Sequence, residues 1–209
     1  MKRFTILADY SMAFTLITPY CITEEIKKSR FVVNASPIKS IHEANEFIEL
    51  VSDQAATHNC WAWKLGHQYR FNDDGEPTST AGRPILAAIE GQNCDQVIIV
   101  VTRYFGGIKL GTGGLIRAYG GSASHCLQQA ELQPIIERIK CHFSCLYAQW
   151  PILESKLREI NAIIETQDFD ANGPKLMIAI TEDKFEHFNQ LLINLTRGKE
   201  QLNIINTNN

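Results

Sequence analysis

The sequence predicts an α+β protein built from two domains in succession. Strand-like and helix-periodic segments alternate along the whole chain. Val97-Ile98-Ile99-Val100-Val101 is a continuous β-branched run, the pattern of a strand buried on both faces. Around Gln133-Pro134 the pattern resets, and the segment after it reads βαββαβ. With 209 residues the chain is long enough for two small cores.

The elements follow in order. Lys2 and Arg3 precede a mildly apolar stretch, but Asp9, Tyr10 and Ser11 interrupt it and no small-x-small cleavage site follows. Residues 1–19 are therefore expected to be an N-terminal extension and a candidate for disorder. Arg30-Phe31-Val32-Val33 begins a strand within Lys28 to Ile38. Ser40-Ile41-His42-Glu43 is a capping box. Ile41, Ala44, Ile48, Val51 and Ala55 then repeat at helical spacing, predicting a helix over Ile41 to Ala56. Cys60 to Leu65 is strand-like, and Asn72-Asp73-Asp74-Gly75-Glu76-Pro77 is turn chemistry. A short helix is expected to start at Pro84 and end near Gly91. A longer one is expected from Leu115 to Glu131, burying Leu115, Tyr119, Ser122, Ala123 and Cys126. Gly120 and Gly121 within it each cost about 1 kcal/mol relative to Ala, a cost met where backbones pack closely.

The boundary at Gln133-Pro134 gives domains of 20–134 and 135–209. In the second, Ile139, Cys141, Phe143 and Cys145 share one face of a strand, and Leu153, Leu157 and Ile160 mark a helix. Strands begin at Ile163 and Leu176. A helix capped by Thr181 carries Phe185, Phe188, Leu192 and Leu195 and closes at Gly198. Leu202 to Ile205 ends the set. This order is the ferredoxin-like arrangement, and no cluster of catalytic residue types falls within it.

Composition narrows function. Apolar content of 44% and charged content of 21% are those of a folded globular protein. The net charge of -3 means that any nucleic-acid contact must come from a local basic patch. No run is long enough to span a bilayer, and the expected location is the cytoplasm. The six cysteines lack CxxC spacing and sit mostly in apolar runs, which reads as buried reduced thiols without disulfide or zinc. No cofactor is expected.

Three features carry chemistry. The strongest is the glycine-rich segment from Arg103 to Gly114, which feeds a helix. Unpaired amides and partial positive charge at a helix start favour anions. Gly111, Gly113 and Gly114 let a backbone approach, and Thr112 can cap the helix or bond the anion. Arg103, Lys109 and Arg117 add charge, Arg83 is a further candidate, and no Asp or Glu occurs between Gln96 and Ala130. The segment is neither a P-loop nor a dinucleotide fingerprint, and glycines that merely permit a tight turn are the plain alternative. Asp73, Asp74 and Glu76 form an acidic loop that would hold a magnesium ion or act as base, or would simply be a solvated turn. His58 and Cys60 share one side of a strand, so a Cys/His pair is a geometric option. A packed thiol beside a hydrogen-bonded imidazole is the plain reading.

Taken in order, Lys27-Lys28-Ser29-Arg30-Phe31, His58-Asn59-Cys60-Trp61-Ala62-Trp63, Asp73 to Pro77, Thr80 to Leu86 and Thr102 to Gly120 resemble the IMPACT family, and the C-terminal part is similar to the extra domain of its bacterial YigZ branch. The resemblance spans about Thr23 to Ile205. It implies an N-terminal domain of the ribosomal-protein second-domain type with a left-handed βαβ crossover, which handedness rules would not predict. It also implies likeness to the two elongation-factor G domains that work on the ribosome, and a role in translation. Eukaryotic IMPACT proteins block activation of a starvation-sensing kinase through its activator, a partner that does not transfer to bacteria. The expected partner is thus the ribosome, RNA or a translation-related protein, without membrane or DNA-sequence readout. An enzyme of a phosphorylated or nucleotide ligand and a protein-interaction regulator remain the alternatives.

Overall fold

The computed structural model describes residues 12–205. The chain divides between Ile135 and Ile136 into two compact units. The first contains β1 (Phe14–Leu16), β2 (Tyr20–Ile26), β3 (Ser29–Pro37), α1 (Ile41–Val51), β4 (His58–Leu65), β5 (Gln68–Asn72), α2 (Gly82–Gly91), β6 (Val97–Tyr104), α3 (Thr112–Gln129) and β7 (Leu132–Pro134). Five strands form an antiparallel sheet in the order β2-β3-β6-β4-β5.

The apolar run of β6 is central in this sheet. Val97, Ile99 and Val101 join the core under α2 and α3, while Ile98 and Val100 face α1 and Trp63. Continuous hydrophobicity usually marks a parallel strand; here an antiparallel strand shows it because helices cover both faces. Phe31, Val33 and Ala35 of β3 and Cys60 and Ala62 of β4 alternate into the α2–α3 side, as a period of two requires.

Local chemistry sets the ends. Ser40 Oγ accepts from Glu43 N (3.2 Å), and the Glu43 carboxylate accepts from Lys39 N (2.8 Å), so the capping box forms. α1 stops at Val51, five residues before the expected Ala56, and Asp53 to Thr57 are a connection. α2 starts two residues before Pro84, and α3 three residues before Leu115. Residues 14–19, expected in an extension, belong to the fold: β1 pairs with β7 and Leu16 is fully buried. Residues 1–11 of that expectation lie outside the described residues.

The second unit contains β8 (Ile139–Ser144), α4 (Trp150–Glu159), β9 (Ile163–Phe169), β10 (Pro174–Ile180), α5 (Glu182–Thr196) and β11 (Asn203–Ile204). The expected element order is present, and the antiparallel sheet runs β11-β8-β10-β9. Its core gathers Cys141, Phe143, Leu153, Leu157, Leu176, Ile178, Phe188 and Leu192. Thr181 holds the N-cap position of α5, but its hydroxyl donates to Asp183 Oδ1 (2.6 Å) instead of capping. No described helix is long and apolar enough to cross a membrane.

Candidate functional site

The loop between β5 and α2 is ordered by its carboxylates. Asp73 Oδ1 accepts from Ala81 N (3.0 Å) and Gly82 N (2.8 Å), and Asp73 Oδ2 from Ser79 N (2.8 Å). Asp73 therefore supplies the anion at the start of α2, whose own N-cap residue, Ala81, has no side chain to do so. Asp74 Oδ2 accepts from Asn59 N (2.5 Å). Gly82 must be glycine, because a Cβ there would stand 2.7 Å from the Asn72 carbonyl oxygen.

Glu76 turns inward. It is buried, and its Oε1 accepts from Arg103 Nη1 (2.6 Å) and from the Tyr119 hydroxyl (2.8 Å), with His58 Nε2 at 3.7 Å. Arg103 is itself 5% exposed. Its Nη2 donates to Ser29 Oγ (3.3 Å), while its Nε is a buried donor with no partner among the described residues. Neither plain solvated turn nor surface cation describes these two. The expectation that Arg103 offers charge to an external anion is corrected: its guanidinium is committed to Glu76. A lone buried charge would be costly, and this mutual pairing is what permits both to lie inside.

His58 and Cys60 sit beside this cluster without the geometry of a nucleophile and its base. His58 Nδ1 donates to the Asp74 carbonyl (2.6 Å), and Cys60 Sγ donates to the Asp73 carbonyl (3.0 Å). Burial pushes the Cys60 thiol up to about 12, the opposite of activation. Burial likewise raises the Tyr119 hydroxyl far above its ordinary range. Among the described residues no three His, Cys, Asp or Glu side chains gather as metal ligands.

The glycine-rich segment presents the other face. Gly111, at φ 72°, is the N-cap of α3 and has no side chain to cap it, so the amides of Thr112, Gly113 and Gly114 lack helical partners. Thr112 is the first helical residue and not the cap. Lys109, Arg117 and Arg83 are exposed. The Arg117 guanidinium lies over the first turn, its Nη1 being 3.7 Å from where a Gly113 Cβ would stand. Arg83 is the second residue of α2, next to Pro84, which packs on α3 at Gly120. Sequence reasoning named the glycines and these three cations but missed the tip of the β2–β3 hairpin. There Lys27 and Lys28 are exposed, and the Lys28 carbonyl packs directly on Gly106. The clue was available in Lys27-Lys28 standing between two strand-like runs.

Residues 27–127 match the Impact N-terminal domain. The chain is 37% identical over 191 residues to the Escherichia coli protein named IMPACT family member YigZ, covering 88% of this chain and 93% of that one. This chain belongs to the IMPACT family. A Thermus thermophilus protein, IMPACT family member in pol 5′region, is 48% identical over 118 residues, 56% of this chain and 65% of its own length, so that match spans a little under two thirds of the relative. A crystal structure described as that of a hypothetical protein superposes with a TM-score of 0.71 at 35% identity, covering 94% of this chain and 98% of the other. The Impact N-terminal match contains Lys27, Lys28, the whole Glu76 cluster and every residue of the glycine-rich segment. The second unit of this IMPACT-family chain lies outside it.

Proposed function

We propose that this chain is a cytoplasmic, translation-associated binding protein that holds RNA backbone on the surface at the start of α3. Lys109 and Arg117 supply charge there, the amides of Thr112, Gly113 and Gly114 supply donors, and Arg83 is an adjacent cation on α2. The observation that carries this reading is Arg117 alongside the first turn of an uncapped helix in a stretch, residues 97–129, that contains no carboxylate. Such a place attracts phosphate oxygens. Membership of the IMPACT family supports the link to translation. In this reading the partner is the ribosome or an RNA.

In the same reading, the first unit is the ribosomal-protein second-domain type, with a left-handed crossover from β3 through α1 to β4. The second is ferredoxin-like, a reading supported by its βαββαβ order and its strand order β11-β8-β10-β9. The enzyme alternative needs Asp73, Asp74 or Glu76 free for a metal, and these carboxylates are engaged by amides and by Arg103.

Phosphate contacts release counterions, so affinity for RNA falls with salt. Lys109→Ala with Arg117→Ala is expected to make the slope of log affinity against log salt shallower by about one per lost contact, somewhat less on single strands. The measurement is a titration at several salt concentrations. An unchanged slope and affinity removes this surface from the function.

A further inference from the structure

The β2–β3 hairpin turns through Lys27 and Lys28, and both take left-handed backbone, φ 49° and 69°. A two-residue turn with both centre residues at positive φ suits Asn-Gly, and lysine is strained there. The strain is held by tight anchoring. A Cβ on Gly106 would stand 1.8 Å from the Lys28 carbonyl oxygen. Ser29 Oγ accepts from both Gly106 N (3.2 Å) and Arg103 Nη2 (3.3 Å). No ion pair among the described residues uses Lys27 or Lys28. The backbone carrying two exposed cations is thus anchored at the edge of the glycine-rich segment.

Beside Gly106 stands Phe105, 47% exposed at the end of the central strand. Its amide donates to Thr57 Oγ1 (3.0 Å), and Arg103 Cζ lies 5.7 Å from its ring centroid. The ring therefore has the buried Arg103 guanidinium near it, and the next residue, Gly106, carries the Lys28 carbonyl of the hairpin turn, while Lys109 follows four residues on in the chain. A flat aromatic ring among cations is the combination that binds unpaired nucleotides: bases stack on the ring and phosphates meet the charges. A duplex keeps its bases stacked internally and offers the ring nothing.

We propose that Phe105 with Lys27 and Lys28 forms a subsite for single-stranded RNA, with an unpaired base on the Phe105 ring and flanking phosphates on the two lysines. This rests on the reading of the α3 surface given above and extends it across Gly106.

The test uses the full chain with a labelled oligouridylate, a duplex RNA and poly-glutamate, each titrated at several salt concentrations. Lys27→Asn with Lys28→Gly should lower the salt slope on the oligouridylate by about 1.4, two contacts at about 0.7 each on a single strand. Asn-Gly suits this turn, so the melting temperature should not fall and the loss will not reflect unfolding. Phe105→Ala should weaken oligouridylate binding by roughly fivefold to a hundredfold with the slope unchanged. The wild-type chain should prefer the oligouridylate to the duplex and to poly-glutamate. If the Asn-Gly and Phe105→Ala variants bind oligouridylate like wild type while Lys109→Ala with Arg117→Ala is weakened, the hairpin subsite is wrong and the α3 surface stands. If wild type binds neither RNA, both fall. Equal binding of poly-glutamate, unaffected by Phe105→Ala, overturns the subsite in favour of an acidic protein partner.

Discussion

Glu76 is the residue on which the first unit's buried polar chemistry converges. Removing its carboxylate strands the Arg103 charge in the core, with Nη1 joining Nε as a donor without a partner while Nη2 keeps Ser29. Glu76→Ala is expected to cost about 3–5 kcal/mol in urea unfolding, and adding Arg103→Met should recover part of that, because removing both charges is cheaper than removing one. The thiols make a second residue-scale prediction. Burial pushes Cys60 and Cys126 up to about 12 and Cys94, Cys141 and Cys145 up to about 11. A folded-state value above the ordinary one means stability is complete below about pH 9 and is lost as pH rises toward 12, since only the unfolded chain releases those protons. Alkaline unfolding should therefore begin above about pH 9 and be shallower in Cys60→Ala. At neutral pH Cys21, the exposed thiol, should react fast with a thiol reagent while the five buried ones lag until denaturation.

At the scale of elements, glycines before and within α3 have opposite meanings. Gly106→Ala would force the β2–β3 hairpin away from the end of β6, because the clash is with backbone. It should destabilise by roughly 1–3 kcal/mol or more, and loss of amide protection at Ser29 and Phe31 would report it. Gly121, inside α3, would place its Cβ in open space, so Gly121→Ala should stabilise by up to about 1 kcal/mol. Thermal melts of the two variants should move in opposite directions. The close-packing explanation for the glycine pair in this helix holds at Gly120, where a Cβ would stand 3.4 Å from Pro84, and not at Gly121. Helix starts were legible to within three residues, because capping boxes and proline positions are local signals. The cap on α2 was not, since Asp73 reaches it from eight residues away across a loop.

The described residues form two units in succession, and each unit has a core that can be probed through its own aromatic pair. Phe143 and Phe188 meet at 5.8 Å in the second, and Phe31 and Tyr119 at 5.3 Å in the first. Phe188→Ala should cost roughly 3–5 kcal/mol, seen as faster hydrogen exchange through β8 and β10. With a net charge of -3, attraction to RNA cannot come from the chain as a whole. It depends on where cations lack partners, and pairing is a property of the folded chain. The sequence alone determined the α+β class, the reset near Gln133-Pro134, the central apolar strand and the glycine-rich helix start, because periodicity and turn chemistry act over a few residues. Only tertiary structure decided which charges face water. It buried Arg103 against Glu76, left Lys109 and Arg117 outside, and set the Lys27-Lys28 turn on Gly106, because charge pairing joins residues far apart in sequence that meet only when the sheet has formed.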